Sequence, residues 1–352
     1  MEPVTPVPDV APDVAAPVPP PVAPVEEEEE RKKRRLLLLL FLLLLLLVGL
    51  GLFSAWYLMY RKPVTELVPP FGQDAVPAYM FSVYGATKPM GVAVNAAGDR
   101  IYVTESDGAR LVQVFDRNGQ PQGDLLPPDS KQAHAPVYVA VDPQNDEVYV
   151  TDRLTGAIYI YDTSGAYSRT FQPKEPIPAW QPLGVAFSPA GDLWVTDLSA
   201  PFHRIEVFDR EGNLKQTIGS KDEFDFPNMV AFDKAGNAYL SDSNTGRLAI
   251  LDPAGNQLAG ISRGAGEGAL GLPRGVAIDD TGRLYVVDAT GHAVHLYRTG
   301  TAPEWRPTFV ADFGSQGVAN GQFEYPNGVA TDTRARIYVT DRENDRVQVW
   351  GY

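Results

Sequence analysis

The chain has 352 residues, no cysteine, 44% apolar residues and a formal net charge of −14. The lack of cysteine excludes a disulfide scaffold and a thiolate-bound metal, and the acidic balance argues against a protein that holds nucleic acid through phosphate contacts. Charge is unevenly placed: residues 1–30 carry eight acids and no base, Arg31 to Arg35 are five consecutive bases, and residues 63–352 carry 36 acids and 23 bases.

Residues 1–25 hold nine prolines among Val, Ala and Asp. Such a run cannot bury a core, so residues 1–30 are predicted to be a Pro-rich, acidic, disordered tail. "PVPPPVAP" within it also reads as a docking peptide for a cytoplasmic partner. Residues 31–62 are predicted to be a basic flank and a transmembrane helix. Leu36 to Tyr60 is 25 residues without a charge, enough at about 1.5 Å per residue to span a hydrocarbon core of about 30 Å. Trp56, Tyr57 and Tyr60 stand at its far end, where amphipathic rings favour the interface. A cleaved signal peptide is the alternative, but the stretch is long for an h-region and no small-x-small site follows it. Five bases precede the span and two, Arg61 and Lys62, close it. The positive-inside bias therefore places the N-terminus in the cytoplasm and the rest of the chain on the far side of a cell membrane. Residues 63–77 read as a short tether.

From residue 78 to 352 the chain repeats itself. An apolar strand opened by proline recurs at Pro89, Pro136, Pro182, Pro227, Pro273 and Pro326, at intervals of 47, 46, 45, 46 and 53 residues. A second strand follows each time and ends on a carboxylate: Glu105, Asp152, Asp197, Asp242, Asp288 and Asp341. A position filled six times serves what every repeat needs rather than chemistry that happens once. Each unit reads strand, tight turn, strand, turn, strand, with glycine in the first turn at Gly98, Gly191, Gly236 and Gly282. Four short antiparallel strands in about 45 residues make one propeller blade, so the fold class is all-β, a six-bladed β-propeller after the tail and helix. The sixth repeat is one strand short at "RVQVWGY". The unmarked run "AYMFSVYG" at the front is predicted to supply that strand and close the ring.

The block "GQFEYPNGVATDTRARIYVTDRENDRVQVW", with its five weaker copies, resembles the NHL repeat. That resemblance implies a six-bladed propeller in which the strand-tip Asp and a nearby Arg, such as Asp341 with Arg346 or Asp242 with Arg247, hold the hairpin together. Repeats two and five place Ala157 and Ala293 where the Arg would stand. Related propellers include lactonases and an amidating lyase with an axial metal, which makes a propeller hydrolase or lyase the rival reading. RNA-binding and ubiquitin-ligase roles of other NHL proteins suit neither the acidic balance nor the absence of a RING-like cluster.

The chemistry-bearing residues are few. Only His134, His203, His292 and His295 could supply imidazoles, and the odd spacing of the last two in "GHAVH" sets them on opposite faces of a strand. No metal and no other cofactor is expected; calcium on the six carboxylates is the alternative, although "DRLTG" and "DRENDR" lack the dense acidic alternation of a dedicated loop. "GAGEGALGLP" opens no helix and is an inter-blade turn rather than a phosphate loop. No nucleophile elbow is present, and no catalytic residue is assigned. The links into each proline and the turns after each carboxylate should share one end of the propeller. That rim would gather Arg153, Trp180, Phe202, His203, Arg274, His292 and Arg342, with Trp and Arg as the usual anchors of a protein contact. The expected function is a membrane-anchored, extracytoplasmic binding scaffold for a protein, peptide or glycan, with no nucleic-acid partner.

Overall fold

The computed structural model describes residues 25–60, 75–129, 131–201, 203–219, 223–264 and 266–352. The chain divides into two units, Met1–Met59 and Tyr60–Tyr352. In the first, helix α1 runs Val25–Tyr60. It begins before residue 31 and takes in the five glutamates, because glutamate is a good helix former and negative charge is favoured at a helix N-terminus. Lys32–Ser54 is long and apolar enough to cross a membrane, with none of it buried against protein. A signal sequence near an N-terminus shares those features. The tail before residue 25, Arg61 and Lys62, and residues 63–74 of the tether lie outside the described residues.

The second unit holds six four-stranded antiparallel sheets. Blade 1 is β2 (Pro89–Val94), β3 (Arg100–Glu105), β4 (Val112–Asp116) and β5 (Pro121–Leu125). Blade 2 is β6 (Pro136–Val141), β7 (Val148–Asp152), β8 (Ala157–Tyr161) and β9 (Tyr167–Thr170). Blade 3 is β10 (Pro182–Phe187), β11 (Leu193–Asp197), β12 (Arg204–Phe208) and β13 (Leu214–Ile218). Blade 4 is β14 (Pro227–Phe232), β15 (Ala238–Asp242), β16 (Arg247–Leu251) and β17 (Gln257–Ile261). Blade 5 is β18 (Pro273–Ile278), β19 (Arg283–Asp288), β20 (Ala293–Arg298) and β21 (Thr308–Phe313). Blade 6 joins β22 (Pro326–Thr331), β23 (Ile337–Asp341) and β24 (Arg346–Gly351) to β1 (Ala78–Tyr84), whose Tyr79 pairs with Trp350 and Val83 with Val347. The front strand therefore completes the last blade and closes the ring.

The packing follows from the strand patterns. Second strands such as β7 and β23 are buried at every position, because each sheet is covered on both faces by its neighbours. Outer strands such as β9 are mostly exposed and polar, which discourages edge pairing. One apolar cluster fills each of the six junctions between adjacent blades. Burial of each large side chain there stabilises the ring by roughly 1.5–3 kcal/mol. The first turns need a left-handed residue: Gly98, Gly191, Gly236 and Gly282 have φ of 64, 88, 87 and 78°, and blades 2 and 6 place Asp146 and Ala335 there at 57 and 59°.

In every blade the opening proline is the register partner of the carboxylate, and a bulge follows before the next paired residue. Proline lacks an N–H and is tolerated at the start of a strand. The bulge leaves a backbone N–H without a ladder acceptor, and the hydroxyl one residue before the carboxylate accepts it. The Gly91 N–H donates to Thr104 Oγ1 at 2.8 Å and the Gly328 N–H to Thr340 Oγ1 at 2.6 Å. The same hydroxyls donate onward to the next blade, Thr104 to Val137 O at 2.7 Å and Thr340 to Met90 O at 2.9 Å. Thr151, Thr196 and Ser241 do likewise. Blade 5 has Val287 at this position.

Candidate functional site

Because proline and carboxylate are register partners, the links and second turns of all blades emerge at one end. Each of the six carboxylates accepts hydrogen bonds there from its own blade, although Glu105 uses only its Oε1 and its buried Oε2 has no partner among the described residues. Asp341 Oδ1 accepts the Glu324 N–H at 2.7 Å, while Arg346 Nε and Gln348 Nε2 donate to its Oδ2 at 2.7 and 2.9 Å. Asp242 holds the Phe226 N–H and Arg247, and Asp197 holds the Gln181 N–H and Arg204. Each carboxylate thus ties the incoming link to its hairpin.

The repeats without the arginine are tied by histidine. His134 Nδ1 lies 2.9 Å from Asp152 Oδ2, and His295 Nε2 lies 3.5 Å from Asp288 Oδ2. Blade 1 departs as well: Gln113 Nε2 donates to Glu105 Oε1 at 2.8 Å. His295 lies inside β20, whereas His292 sits in the preceding turn at φ 51°, so strand alternation does not govern their relation. Among the described residues no three His, Cys, Asp or Glu side chains are grouped so as to hold a metal.

His295 provides a pH signature. Burial alone would push its pKa down, but the carboxylates of Asp288 and Asp312 outweigh that and hold it above its usual value. Burial likewise pushes the Asp288 carboxyl up, yet His295 and the N–H groups of Leu272, Gly271 and Gly291 hold it well below the usual range. A histidine whose folded pKa is raised contributes stability fully present below the unfolded value of about 6.5 and lost as pH rises through the folded value. Asp288 stays ionised across that window. Melting curves should therefore show His295→Gln trailing the parent most at about pH 6 and less at about pH 9; an equal gap at both would contradict the pairing.

The axis at the carboxylate end opens into a cavity of about 700 Å³. The residue after each opening proline lines it: Met90, Val137, Leu183, Asn228, Arg274 and Asn327. The next residue is glycine in four blades, since the inner strands approach closely; a Cβ on Gly184 would lie 2.0 Å from Asn228 O. Blades 2 and 4 instead carry Tyr138 and Met229, which join Val137 and Leu183 in an apolar cluster on the axis. Tyr138 is buried and donates to Asn228 Oδ1, while Asn327 Nδ2 donates to the Tyr138 hydroxyl at 3.1 Å. This brace crosses from blade 2 to blades 4 and 6 and floors the cavity. Burial pushes the Tyr138 phenol up to about 12, against the lowering field of Arg274, so it stays a neutral donor.

Of the rim residues expected from sequence, Arg153, His203, Arg274 and Arg342 line this cavity. Trp180 is half-buried and packs edge-on to Phe208 at 5.8 Å, in the junction between blades 2 and 3. His292 Nδ1 accepts the Tyr325 N–H at 3.2 Å, and Tyr325, not His292, reaches the cavity. Phe202 lies outside the described residues. Lys88, Arg110, Asn228, Asn327 and Tyr138 also line the site and were not expected. For Asn228 and Asn327 the signal was the position after each proline, and for Tyr138 the departure of "PVYVAV" from the glycine pattern; Lys88 and Arg110 carried no such signal.

Comparison with known proteins agrees with this architecture. Residues 323–350 match the NHL repeat. Over 210 residues the chain is 26% identical to NHL repeat-containing protein 3 of Mus musculus, which covers 54% of this chain and 59% of that protein. It is 34% identical over 114 residues to Protein brain tumor of Drosophila melanogaster, covering 31% of this chain and 10% of that one. The chain therefore spans less than two thirds of either relative. Among solved structures, virginiamycin B lyase from Staphylococcus aureus superposes with a TM-score of 0.55 at 16% identity, covering 77% of this chain and 98% of that one. A chain of the Nidogen/Laminin Complex superposes with a TM-score of 0.51 at 20% identity, over 63% and 80% of the respective chains. Both share the propeller fold described here.

Proposed function

We propose that this protein is a membrane-anchored NHL-type propeller that binds a protein, peptide or glycan at the cavity end. The observation that carries the reading is the cavity itself: a blind cup of about 700 Å³, floored by a satisfied polar brace and rimmed by arginines. Binding sites are typically concave, largely preformed and supplied with few oriented polar groups. The chain is acidic overall, yet Lys88, Arg110, Arg153, Arg274 and Arg342 line this one cup, with Asp107 the single carboxylate beside them among the described residues. The basic run Arg31 to Arg35, which precedes the apolar stretch of α1, supports a cytoplasmic N-terminus and an extracytoplasmic propeller.

The test is photo-crosslinking in intact cells or spheroplasts, with the cross-linking residue placed at Arg153 or Arg342 and, for comparison, at exposed Lys234 in the opposite turns. Adducts should form from the cavity end only, and protease added outside should release the propeller by cutting within residues 63–77. Equal adducts from Lys234, or a propeller protected while the tail is lost, would overturn the corresponding half of the reading. Chelator-sensitive turnover of a lactone or cyclic peptide by the purified protein would replace binding by the lyase alternative.

A further inference from the structure

The ring formed by the six residues after the prolines is two-sided. Blades 1, 2 and 3 contribute Met90, Val137 and Leu183, and blades 4, 5 and 6 contribute Asn228, Arg274 and Asn327. One half of the cup wall is apolar and the other polar, with a single permanent charge at the centre of the polar half. The two asparagines flanking that charge are almost fully buried and are held by Tyr138, Ser243 and Met90 O. Arg274 is different. Its guanidinium rests over the Phe226 ring at 5.5 Å from the centroid, and among the described residues no carboxylate lies within ion-pair distance of it. Arg110 and Arg153, at the mouth, also have no carboxylate partner among the described residues, whereas Lys88 and Arg342 share Glu343 at 3.5 and 2.6 Å.

An arginine in a cavity without a counter-ion is an incomplete pair. Its planar fork matches a carboxylate with two parallel hydrogen bonds, and stacking on Phe226 holds it in place. One such fork beside two committed amides suits one carboxylate better than a chain of phosphates, which calls for cations along its length. Across the cup, Met90, Val137 and Leu183 can shelter only an apolar body. The arginines at the mouth raise the positive potential there and draw anions in.

We infer that the cup recognises an apolar group bearing one carboxylate, with the carboxylate on Arg274 and the apolar body against Met90, Val137 and Leu183. The inference rests on the binding reading above and names the chemistry of its ligand. Two sources present that chemistry: an adjacent Leu-Asp pair on a partner polypeptide, and a free medium-chain carboxylic acid.

Binding to the full-length protein in nanodiscs tests it with two matched pairs. One pair is a labelled peptide with a central Leu-Asp and its Leu-Asn twin; the other is octanoate and octanamide. In at least one pair the acid should bind about tenfold or more tightly than its neutral twin, as expected for a charge-assisted fork, and the responding pair identifies the source. Arg274→Gln should bring acid and neutral forms level, while Met90→Gln should weaken both alike, with circular dichroism confirming that each variant is folded. Equal binding of acid and neutral forms in both pairs, no binding in either, or a preference that survives Arg274→Gln would overturn the inference. If the preference is absent while cross-links still form only at the cavity end, the carboxylate assignment fails and the binding reading stands. If cavity-end cross-links are themselves absent, the binding reading fails independently.

Discussion

Replacing Asp341 by alanine should destabilise the propeller by about 3–5 kcal/mol, the range for breaking a buried ion pair from one side. Asp341 is fully buried and Arg346 is 4% exposed. Removing the carboxylate takes an acceptor at once from Arg346 Nε, the Glu324 N–H, Gln348 Nε2 and Asn344 Nδ2, of which the last two keep Gln322 O and Gly317 O. Arg346 keeps two carbonyls, Ala319 O and Gln322 O at 2.8 Å each, but its charge stays buried and uncompensated. At roughly 2–4 °C per kcal/mol the melting temperature should fall by about 10 °C. Removing both partners, as in Asp341→Ala with Arg346→Met, should cost less than the single change, because no lone charge is left inside. A loss below about 1 kcal/mol for the single variant, measured by denaturant melts, would show that the pair does not tie the hairpin.

That tie was largely legible in the sequence, since Asp341 and Arg346 recur with the same spacing at Asp242 and Arg247. The period, the prolines and the strand missing from the sixth repeat are local patterns, and each maps onto one blade. What stayed hidden depends on contacts between segments distant along the chain. His134 stands 18 residues before Asp152, in a link whose path only the folded blade determines, so its replacement of an arginine left no spacing signal. Trp180 precedes Pro182 in a link at the cavity end, but its ring turns into the junction beside Phe208; position in a link does not set side-chain direction. The cup wall was half visible. Arg274 stood out as a charge, whereas Asn228 and Asn327 matter only because the ring brings three alternate blades together at Tyr138. The acidic run before the apolar stretch was read with the tail because it adjoins the prolines, whereas in the structure α1 begins at Val25.

Deleting Ala78 to Gly85 from the full-length protein should lower its melting temperature by about 10 °C or more, or leave it unfolded, whereas deleting eight residues of the tether, 63–70, should shift it by no more than about 2 °C. The first deletion removes β1, which pairs with β24 at six positions. Val83 is 2% exposed and belongs to the junction between blades 6 and 1, where it meets Val347 and Phe115. Tyr79 packs edge-on to Trp350 at 6.0 Å, and Gly119 of blade 1 sits against the Val83 side chain. Loss of the strand therefore opens two surfaces at once: the edge of β24, with its backbone groups, and the outer part of a junction cluster. Each buried apolar side chain exposed costs roughly 1.5–3 kcal/mol and each orphaned backbone pair about 1 kcal/mol, so the total is several kcal/mol. In an open array of repeats the loss of a terminal strand frays one end. Here the same strand joins the last blade to the first, so its removal converts a ring without ends into a chain with two. Equal melting temperatures for the two deletions would mean that blades 5, 6 and 1 hold the ring through their inner strands alone.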